Sequence, residues 1–394
     1  MYNKAMTIYI LGRQPHIGLA ELERVFGSKK VSHIAPEVAL VDTPPSDRPI
    51  GSALKIGETL TQFQATSFRD ASQKAVSFLE KNLPTDSKVT LGISAYNFAV
   101  SGHDVQKLGL ILKQKRKKNN FSTRLIPNKE AALNSAQVLH NKLTSSHKWE
   151  VLVIKTFTGD VLLAKTTHVQ DITAYTQRDR SRPKRDARVG MLPPKLAQTI
   201  INLAIGDKNT ENLRLLDPFC GTGVILQEAL LMNCFVMGSD IDQRMIDYSK
   251  ANIEWLRRHE NYNKNGTLLS LEQGDATDFN WQKSPDVIAG ETYLGRPFSS
   301  EPDEESLRKV IHDCNTIHKK FLANVTRQTA SGLSLCLAVP AWHVKNKVYH
   351  MPMLDDLENL GYNRLDFTHA SNEDLIYYRE GQIVGRELLV LIRR

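Results

Sequence analysis

Residues 215–223 read Leu-Leu-Asp-Pro-Phe-Cys-Gly-Thr-Gly. The first two residues of this stretch end a short apolar run that predicts a strand, and apolar residues recur at helical spacing from Val224 onward. Gly221 and Gly223 have no Cβ, so the backbone between the two elements can turn sharply and lie close to a ligand. The stretch therefore predicts a strand-to-helix turn of the kind at which open α/β sheets bind their ligands.

The residues around this turn alternate between strand and helix patterns, which predicts a parallel sheet. Leu375–Arg379 and Glu387–Ile392 predict an antiparallel pair at the end of the chain. We therefore expect an α/β fold, a Rossmann-like domain with a C-terminal antiparallel hairpin. Its predicted strands are 213–216, 235–238, 268–271, 287–289 and 333–339, and its predicted helices are 196–204, 224–232, 243–257 and a segment within 304–327.

The first 170 residues mix strand and helix patterns without regular alternation, so we expect one or two small α+β units there. Predicted strands include 7–11, 88–94, 149–154 and 161–166, and predicted helices include 18–26, 68–83, 105–118 and 132–141. Residues 171–194 are basic, contain proline and lack periodic apolar positions. This segment is interpreted as a linker.

Three acids follow the ends of three successive predicted strands: Asp217, Asp240 and Asp275. Asp217 would repel a pyrophosphate but suits a ligand with an ammonium and a sulfonium group. Asp240 is placed to accept both hydroxyls of a ribose, and Asp275 to accept from an adenine amine. The set predicts S-adenosylmethionine. A nicotinamide oxidoreductase is disfavoured because Leu226 stands where a dinucleotide fingerprint needs a third glycine, and Asp242 is expected to cap the next helix.

The charge of the chain points to a polyanionic partner. There are 51 Lys and Arg against 43 Asp and Glu, a net charge of +8, and the basic residues are clustered. A solvated basic surface is the alternative interpretation. The first expected RNA-binding run is Lys113, Lys115, Arg116, Lys117 and Lys118; the second contains Arg180, Arg182, Lys184 and Arg185, with Arg178 and Arg188 beside them.

Composition excludes several classes of protein. The apolar fraction of 41% is that of an ordinary globular chain, and no apolar run approaches the roughly 20 residues of a membrane span. The 4 cysteines form no Cys-x-x-Cys pair, which favours a reducing cytoplasm over a disulfide or zinc scaffold. His312, Cys314 and His318 lie close in sequence but lack a second ligand pair, so no metal is expected.

The motifs resemble the THUMP-domain tRNA guanosine N2-methyltransferases. The likeness rests on residues 217–223, on 182–197 upstream, on the segment Tyr9–Glu21 and on the closing segment Tyr378–Arg386. It implies an N-terminal ferredoxin-like module at 1–55, a THUMP RNA-binding domain at 56–170, the basic linker at 171–194 and a methyltransferase domain at 195–394. It further implies a tRNA substrate, with the guanosine at position 10 as the target in close relatives.

One segment departs from that family. The family's catalytic loop reads Asp-Pro-Pro-Tyr-Gly, whereas residues 291–295 here read Glu-Thr-Tyr-Leu-Gly. Glu291 keeps a carboxylate to accept the N–H of the target amine, and Tyr293 keeps an aromatic ring to stack on an extruded base. Thr292 lacks the fixed φ of proline. The loop could methylate guanosine, accept another base, or have lost activity.

The expected site therefore has two parts, and two other functions stay open. Glu291, Thr292 and Tyr293 are the catalytic candidates. One alternative is a methyltransferase that acts on DNA or on protein amino groups; the other is an RNA-binding protein with a vestigial cofactor domain. The expected cofactor contacts are Asp217, Phe219, Gly221, Gly223, Asp240, Ile241, Asp275 and Ala276.

Overall fold

The computed structural model describes residues 6–186, 191–259, 265–298 and 300–394. The chain forms two compact units. The N-terminal unit contains the described residues up to Pro15 together with Lys29–Asp47 and Ala53–Ala174. The C-terminal unit contains His16–Ser28, Arg48–Ser52 and Tyr175–Arg394. Helix α1 (Pro15–Phe26) therefore belongs almost entirely to the C-terminal unit, although it lies near the start of the chain.

The N-terminal unit is built on one mixed sheet with strand order β2-β3-β1-β4-β9-β8-β5-β6, in which β7 also pairs with β8. Strand β5 runs parallel to β6 and β8, and the other pairs are antiparallel. The strands are β1 (Thr7–Leu11), β2 (Val31–Ala35), β3 (Val38–Val41), β4 (Ala53–Gln64), β5 (Val89–Tyr96), β6 (Thr123–Leu125), β7 (Thr144–Ser145), β8 (Lys148–Lys155) and β9 (Asp160–Val169). The expected domain boundary at 55/56 falls inside β4, which pairs with both β1 and β9.

Helices α2 (Phe68–Asn82) and α3 (Gly102–Lys118) pack on this sheet. Helix α3 begins with a capping box in which Ser101 and Asp104 each accept the other's backbone N–H. Its buried positions Val105, Leu108 and Leu112 follow the helical period toward the sheet. The short helix α4 (Ser135–His140) follows, and the N-terminal unit ends at Ala174, within α5 (Ile172–Thr176).

The C-terminal unit has the sheet order β12-β11-β10-β13-β14-β18-β16, with parallel strands from β12 to β14 and antiparallel pairs beyond. This confirms the Rossmann-like sheet with an antiparallel end. The strands are β10 (Arg214–Asp217), β11 (Phe235–Asp240), β12 (Thr267–Gln273), β13 (Val287–Glu291), β14 (Ser334–Val344), β15 (Lys347–Tyr349), β16 (Tyr362–Arg364), β17 (Ile376–Tyr377) and β18 (Val384–Arg393).

Helices cover both faces of this sheet, as buried parallel strands require. One face packs against α6 (Pro194–Ile205) and α7 (Val224–Leu231), and the other against α9 (Glu304–Gln328). Helix α8 (Gln243–His259) contacts β11 and β12. Helix α1 is fixed to this unit by Glu21, which is fully buried and accepts from the backbone N–H of Gly51 at 2.8 Å and from the Asn202 amide at 2.6 Å.

The expected linker at 171–194 is not a simple linker in the structure. Gln177–Ser181 forms a π-helical turn after α5. Arg178 is buried, and its Nε donates to Glu228 Oε1 at 2.7 Å; Glu228 Oε2 also accepts from Gln198 on α6. A buried charge of this kind needs a fixed partner, so the segment packs as part of the C-terminal unit. Residues 187–190, which include Arg188, lie outside the described residues.

Candidate active site

The carboxyl ends of the parallel strands surround a cavity of about 460 Å³. Asp217 ends β10, Asp240 ends β11 and Glu291 ends β13, while Asp275 follows β12. All these residues come together because parallel strands end at one edge of the sheet. Other cavity-lining residues include the expected Phe219, Gly221, Ile241, Ala276, Thr292 and Tyr293, and also Asp186, Met191, Thr222, Met245, Thr277 and Ile317.

The glycines of the first loop are required by its backbone. Gly221 has φ of +50° and Gly223 has φ of +80°, both in the left-handed region. A Cβ on Gly223 would also lie 2.7 Å from Ser249 Oγ. Gly223 is buried and precedes α7, so it shapes the loop while Gly221 lines the cavity. Gly223, expected as a cofactor contact, is not among the residues that line the cavity, and it shapes the loop through its backbone conformation.

Asp217 is the most buried of the acids, with a side chain that is 2% exposed. Its Oδ1 accepts from the backbone N–H of Phe219 at 3.2 Å. Burial raises the pKa of this carboxyl well above its usual range, and the negative charges of Asp240 and Glu291 raise it further. A buried carboxyl in this position favours a cationic ligand, because a positive charge beside it would stabilise its ionised form.

Asp240 connects the first two loops. Its Oδ2 accepts from Gly221 N–H at 2.9 Å and its Oδ1 from Asp242 N–H at 3.0 Å, so the carboxylate is held in one orientation with a lone pair of each oxygen still available. Burial raises its pKa. Asp242 caps α8, accepting from Arg244 N–H at 2.8 Å, as expected.

The remaining cofactor candidates form a partly open side of the cavity. Ile241 lines the cavity and is 66% exposed, so its apolar side chain is accessible to a ligand. Asp275 is exposed, and its Oδ1 accepts from Thr277 N–H at 2.9 Å. Ala276 is buried, and its carbonyl accepts from Asn324 on α9 at 3.1 Å.

Glu291 faces this cavity with one oxygen already engaged. Arg386 on β18 donates from Nε to Glu291 Oε1, and both side chains are largely buried. Burial raises the pKa of Glu291, whereas the charge of Arg386 lowers it. The sequence analysis did not identify Arg386 as a site residue. It named Arg386 only as the last residue of the closing segment Tyr378–Arg386. The pair was not recognisable locally because β13 and β18 are far apart in the chain.

Thr292 does not point its side chain toward a substrate. It is 4% exposed, its N–H donates to Ala338 O at 3.0 Å, and its Oγ1 lies 2.6 Å from His318 Nε2. Thr292, expected as a catalytic candidate, thus has both its N–H and its hydroxyl engaged by the protein, and these hydrogen bonds restrain its position. Tyr293 is 39% exposed beside the cavity, consistent with a ring that can stack on a base.

Helix α9 supports three of the loops that line the cavity, which the sequence had not indicated. His318 contacts Thr292 in the loop that follows β13. Phe321 packs edge-on against Phe219 of the first loop, with ring centroids 5.0 Å apart. Asn324 binds the carbonyl of Ala276. These three residues are spaced at helical intervals, so one face of α9 determines the relative positions of the loops.

The expected RNA-binding residues divide into exposed and buried ones. Lys113, Lys115, Lys117 and Lys118 are exposed on α3, although Lys115 lies 3.4 Å from Glu80. Arg116 is fully buried and donates to Thr123 Oγ1 at 3.0 Å and to Pro84 O at 2.6 Å, so its assignment to the surface is corrected. It continues the buried helical positions of α3, four residues after Leu112.

The second basic segment divides in the same way. Arg180, Lys184 and Arg185 are exposed. Arg182 is 3% exposed, and burial lowers the pKa of its guanidinium, so it is also removed from the surface set. Lys184 is fixed at its backbone by Asn252, which accepts its N–H at 3.0 Å and donates to its carbonyl at 2.9 Å.

The described part of the chain lacks a membrane-spanning helix and a cluster of metal-binding side chains. No helix there is long and apolar enough to cross a membrane. The same residues contain no group of three or more His, Cys, Asp or Glu side chains placed to hold a metal ion.

A family model matches most of the part of the chain that forms this site, and related proteins match over about 150 residues or fewer. Residues 182–337 match the family model of the RMKL-like methyltransferase domain. The chain is 32% identical over 151 residues to a tRNA (guanine(10)-N2)-dimethyltransferase of Methanothermobacter thermautotrophicus, covering 38% of this chain and 39% of that protein. It is 41% identical over 134 residues to the protein of that name from Pyrococcus abyssi, covering 34% and 35%. The matches thus span about two fifths or less of these relatives.

The fold is shared over a longer range. The crystal structure of TrmN from Thermus thermophilus aligns with 99% of this chain and 100% of its own, at a TM-score of 0.50 and 14% identity. This likeness shows the fold and confirms the Rossmann-like methyltransferase architecture.

Proposed function

We propose that this protein is an S-adenosylmethionine-dependent tRNA methyltransferase that modifies the exocyclic N2 amine of a guanosine. One observation carries the proposal: the three acids expected to bind the cofactor and the Glu291–Tyr293 loop line a single cavity. The tRNA (guanine(10)-N2)-dimethyltransferases to which parts of this chain are 32% and 41% identical support the same substrate class. Guanosine 10 is the proposed target.

The residues present fit this cofactor. Asp217 is a buried carboxyl whose raised pKa is relieved by a cation, and S-adenosylmethionine carries an ammonium and a sulfonium group. Asp240 presents a carboxylate oriented by two backbone N–H groups, suited to a ribose diol. Ile241 and Asp275 offer an apolar surface and an acceptor for an adenine. When bound, the cofactor supplies an electrophilic methyl group.

The catalytic loop acts on the acceptor amine. The lone pair of an aniline-like amine is delocalised into the guanine ring, so the nitrogen is a weak nucleophile. Glu291 can accept an N–H of that amine and return electron density to the nitrogen. Arg386 binds Oε1; among the described residues no hydrogen bond engages Oε2, which is the oxygen assigned to the substrate. Tyr293 stacks on the extruded base and so orients the nitrogen toward the methyl group.

The N-terminal unit is assigned to RNA binding as a THUMP-type domain. The exposed lysines on α3 support this, because side chains that neutralise phosphates provide affinity without reading sequence. The exposed Arg180, Lys184 and Arg185 of the C-terminal unit form a second set of proposed phosphate contacts. A tRNA substrate implies that the protein works in the cytoplasm.

A product analysis tests this function. The full chain is incubated with methyl-labelled cofactor and, separately, with tRNA, DNA and protein pools, and the labelled polymer is digested to its monomers. Labelled N2-methylguanosine or N2,N2-dimethylguanosine from tRNA alone is expected. Label on another base, on DNA or on protein would overturn the substrate assignment. Cofactor binding without transfer to any pool would instead identify a vestigial cofactor domain.

A further inference from the structure

We propose that His318 is a positioning residue that holds the Glu291–Tyr293 loop in place through Thr292. This inference rests on the proposed function, since it concerns how the same loop is held. The contact joins α9 to the residue after Glu291, at 2.6 Å between His318 Nε2 and Thr292 Oγ1. Both side chains are buried, at 0% and 4% exposure.

The protonation of His318 follows from its other contact. Its Nδ1 lies 2.6 Å from the carbonyl oxygen of Cys314, which can only accept, so Nδ1 carries the hydrogen. Burial lowers the pKa of the imidazole to about 4, so the ring is neutral near pH 7. Nε2 of a neutral ring with Nδ1–H is an acceptor. The Thr292 hydroxyl is therefore the donor in this hydrogen bond.

The backbone of Thr292 makes a second hydrogen bond, to a different element. Its N–H donates to Ala338 O on β14 at 3.0 Å, a bond that proline could not make. Thr292 Oγ1 also lies 3.1 Å from Ala338 O, but the hydroxyl has one hydrogen, and the shorter contact to His318 takes it. Two different atoms of Thr292 are thus bonded to two different elements, which restricts the residue's position and orientation.

The rest of the loop is restrained on both sides of Thr292. Glu291 is bound by Arg386. At the far end, Gly295 has φ of +87°, and a Cβ there would lie 2.7 Å from Val310 and 3.3 Å from Cys314. Val310, Cys314 and His318 follow one another at intervals of four along α9, so one row of that helix supports the loop at both ends. Tyr293 is left as the exposed residue between fixed neighbours.

Four single variants and one double variant test the contact. His318→Asn keeps a donor near Nδ1 but loses the acceptor at Nε2, whereas His318→Gln places an acceptor near the Nε2 position. Thr292→Val removes the hydroxyl at nearly constant shape, and Thr292→Ser keeps it. We expect His318→Asn and Thr292→Val each to slow single-turnover transfer to tRNA by about ten- to a hundredfold, the scale for a misplaced reacting group.

Three further measurements separate positioning from general stability. The Kd for S-adenosylmethionine should be unchanged, His318→Gln and Thr292→Ser should keep most of the rate, and the double variant His318→Asn with Thr292→Val should be no slower than the slower single one. Additive losses, or no rescue by His318→Gln, would overturn the proposal. So would a loss of thermal stability without a change in rate.

Hydrogen exchange keeps this inference distinct from the proposed function. The Thr292 amide should exchange about five- to tenfold faster in His318→Asn than in His318→Gln, the equivalent of one net hydrogen bond. This measurement needs no activity. If the wild type transfers no methyl group but the exchange difference is seen, the proposed function is refuted. The role of His318 in holding Thr292 is then still supported. Equal exchange in both variants would refute the role of His318.

Discussion

Arg386 on β18 binds the carboxylate of Glu291 at the end of β13, across 95 residues of sequence. Strand β14 lies between the two strands in the sheet, and Pro340 of β14 pairs with Arg386 while Ala338 pairs with Glu291. The contact provides a buried acid with a counter-charge: burial raises the pKa of Glu291, and the charge and hydrogen bond of Arg386 lower it. The C-terminal strand therefore sets the state of the proposed catalytic acceptor.

Removal of Arg386 should change the pH dependence of methyl transfer. Arg386 lowers the pKa of Glu291, so Arg386→Gln should raise the pKa of Glu291. The loss of rate at low pH should then begin at a higher pH. A shift of about one unit is expected for loss of a close charge. The pH profile of single-turnover transfer measures it. In a Glu291→Gln background, Arg386→Gln should leave the pH profile unchanged. A shift of the profile in that background would assign the effect to another acid such as Asp217.

Glu291 itself should control turnover more than binding. Glu291→Ala should lose most of the rate, and Glu291→Gln should lose less because its amide oxygen still accepts a hydrogen bond. Single-turnover kinetics on tRNA with saturating cofactor compares them, with calorimetry to check that the cofactor Kd is kept. Wild-type rates in both variants would show that Glu291 is not the acceptor of the amine hydrogen.

Asp242 provides a matched control for Asp240 at the cofactor site. Each of the two carboxylates accepts the backbone N–H of the residue two positions after it. Asp240→Ala should weaken S-adenosylmethionine binding by about 1.5–3 kcal/mol, the scale for lost hydrogen bonds to a charged group. Asp242→Ala should instead cost about 1 kcal/mol of unfolding free energy through its lost cap on α8. Calorimetry and denaturation measure the two effects. Unchanged affinity in Asp240→Ala would exclude it from the site.

Binding of tRNA should depend steeply on salt through the exposed lysines of α3. Replacing Lys113, Lys117 and Lys118 by Ala should reduce the slope of log K against log salt by up to about 0.7–0.9 for each phosphate that is no longer neutralised. The buried Arg116 is the control: Arg116→Met should destabilise the N-terminal unit and leave the slope unchanged. A triple variant with wild-type slope and affinity would show that this run is a solvated face.

His318 should make folding sensitive to acid. In the unfolded chain the imidazole has its ordinary pKa of 6.5, whereas burial lowers its pKa to about 4 in the folded protein. The unfolded state therefore binds more protons between these values, and the unfolding free energy falls as pH falls, by about 1.4 kcal/mol per unit from this group. Denaturation from pH 7 to 4 should show a steeper loss in the wild type than in His318→Gln. Parallel curves would contradict the lowered pKa.

The sequence by itself determined the C-terminal sheet and the loops at its edge. Strand and helix patterns, the glycines at 221 and 223 and the acids after each strand depend on a few neighbouring residues, and the carboxyl ends of parallel strands must meet at one edge. The cap at Asp242 was predictable for the same reason. The helical period of α3 also predicts that Arg116 is buried, because it lies four residues after the buried Leu112. The neighbouring lysines favoured the opposite interpretation, an exposed basic run.

The tertiary structure alone decided which side chains act together. Arg386 reaches Glu291 across 95 residues and His318 reaches Thr292 across 26, so neither contact leaves a local pattern in the sequence. The placement of α1 in the C-terminal unit likewise depends on Glu21 meeting partners such as Asn202, 181 residues away. Local propensity specifies the elements, whereas the burial of a polar group requires a partner that only the packed chain supplies.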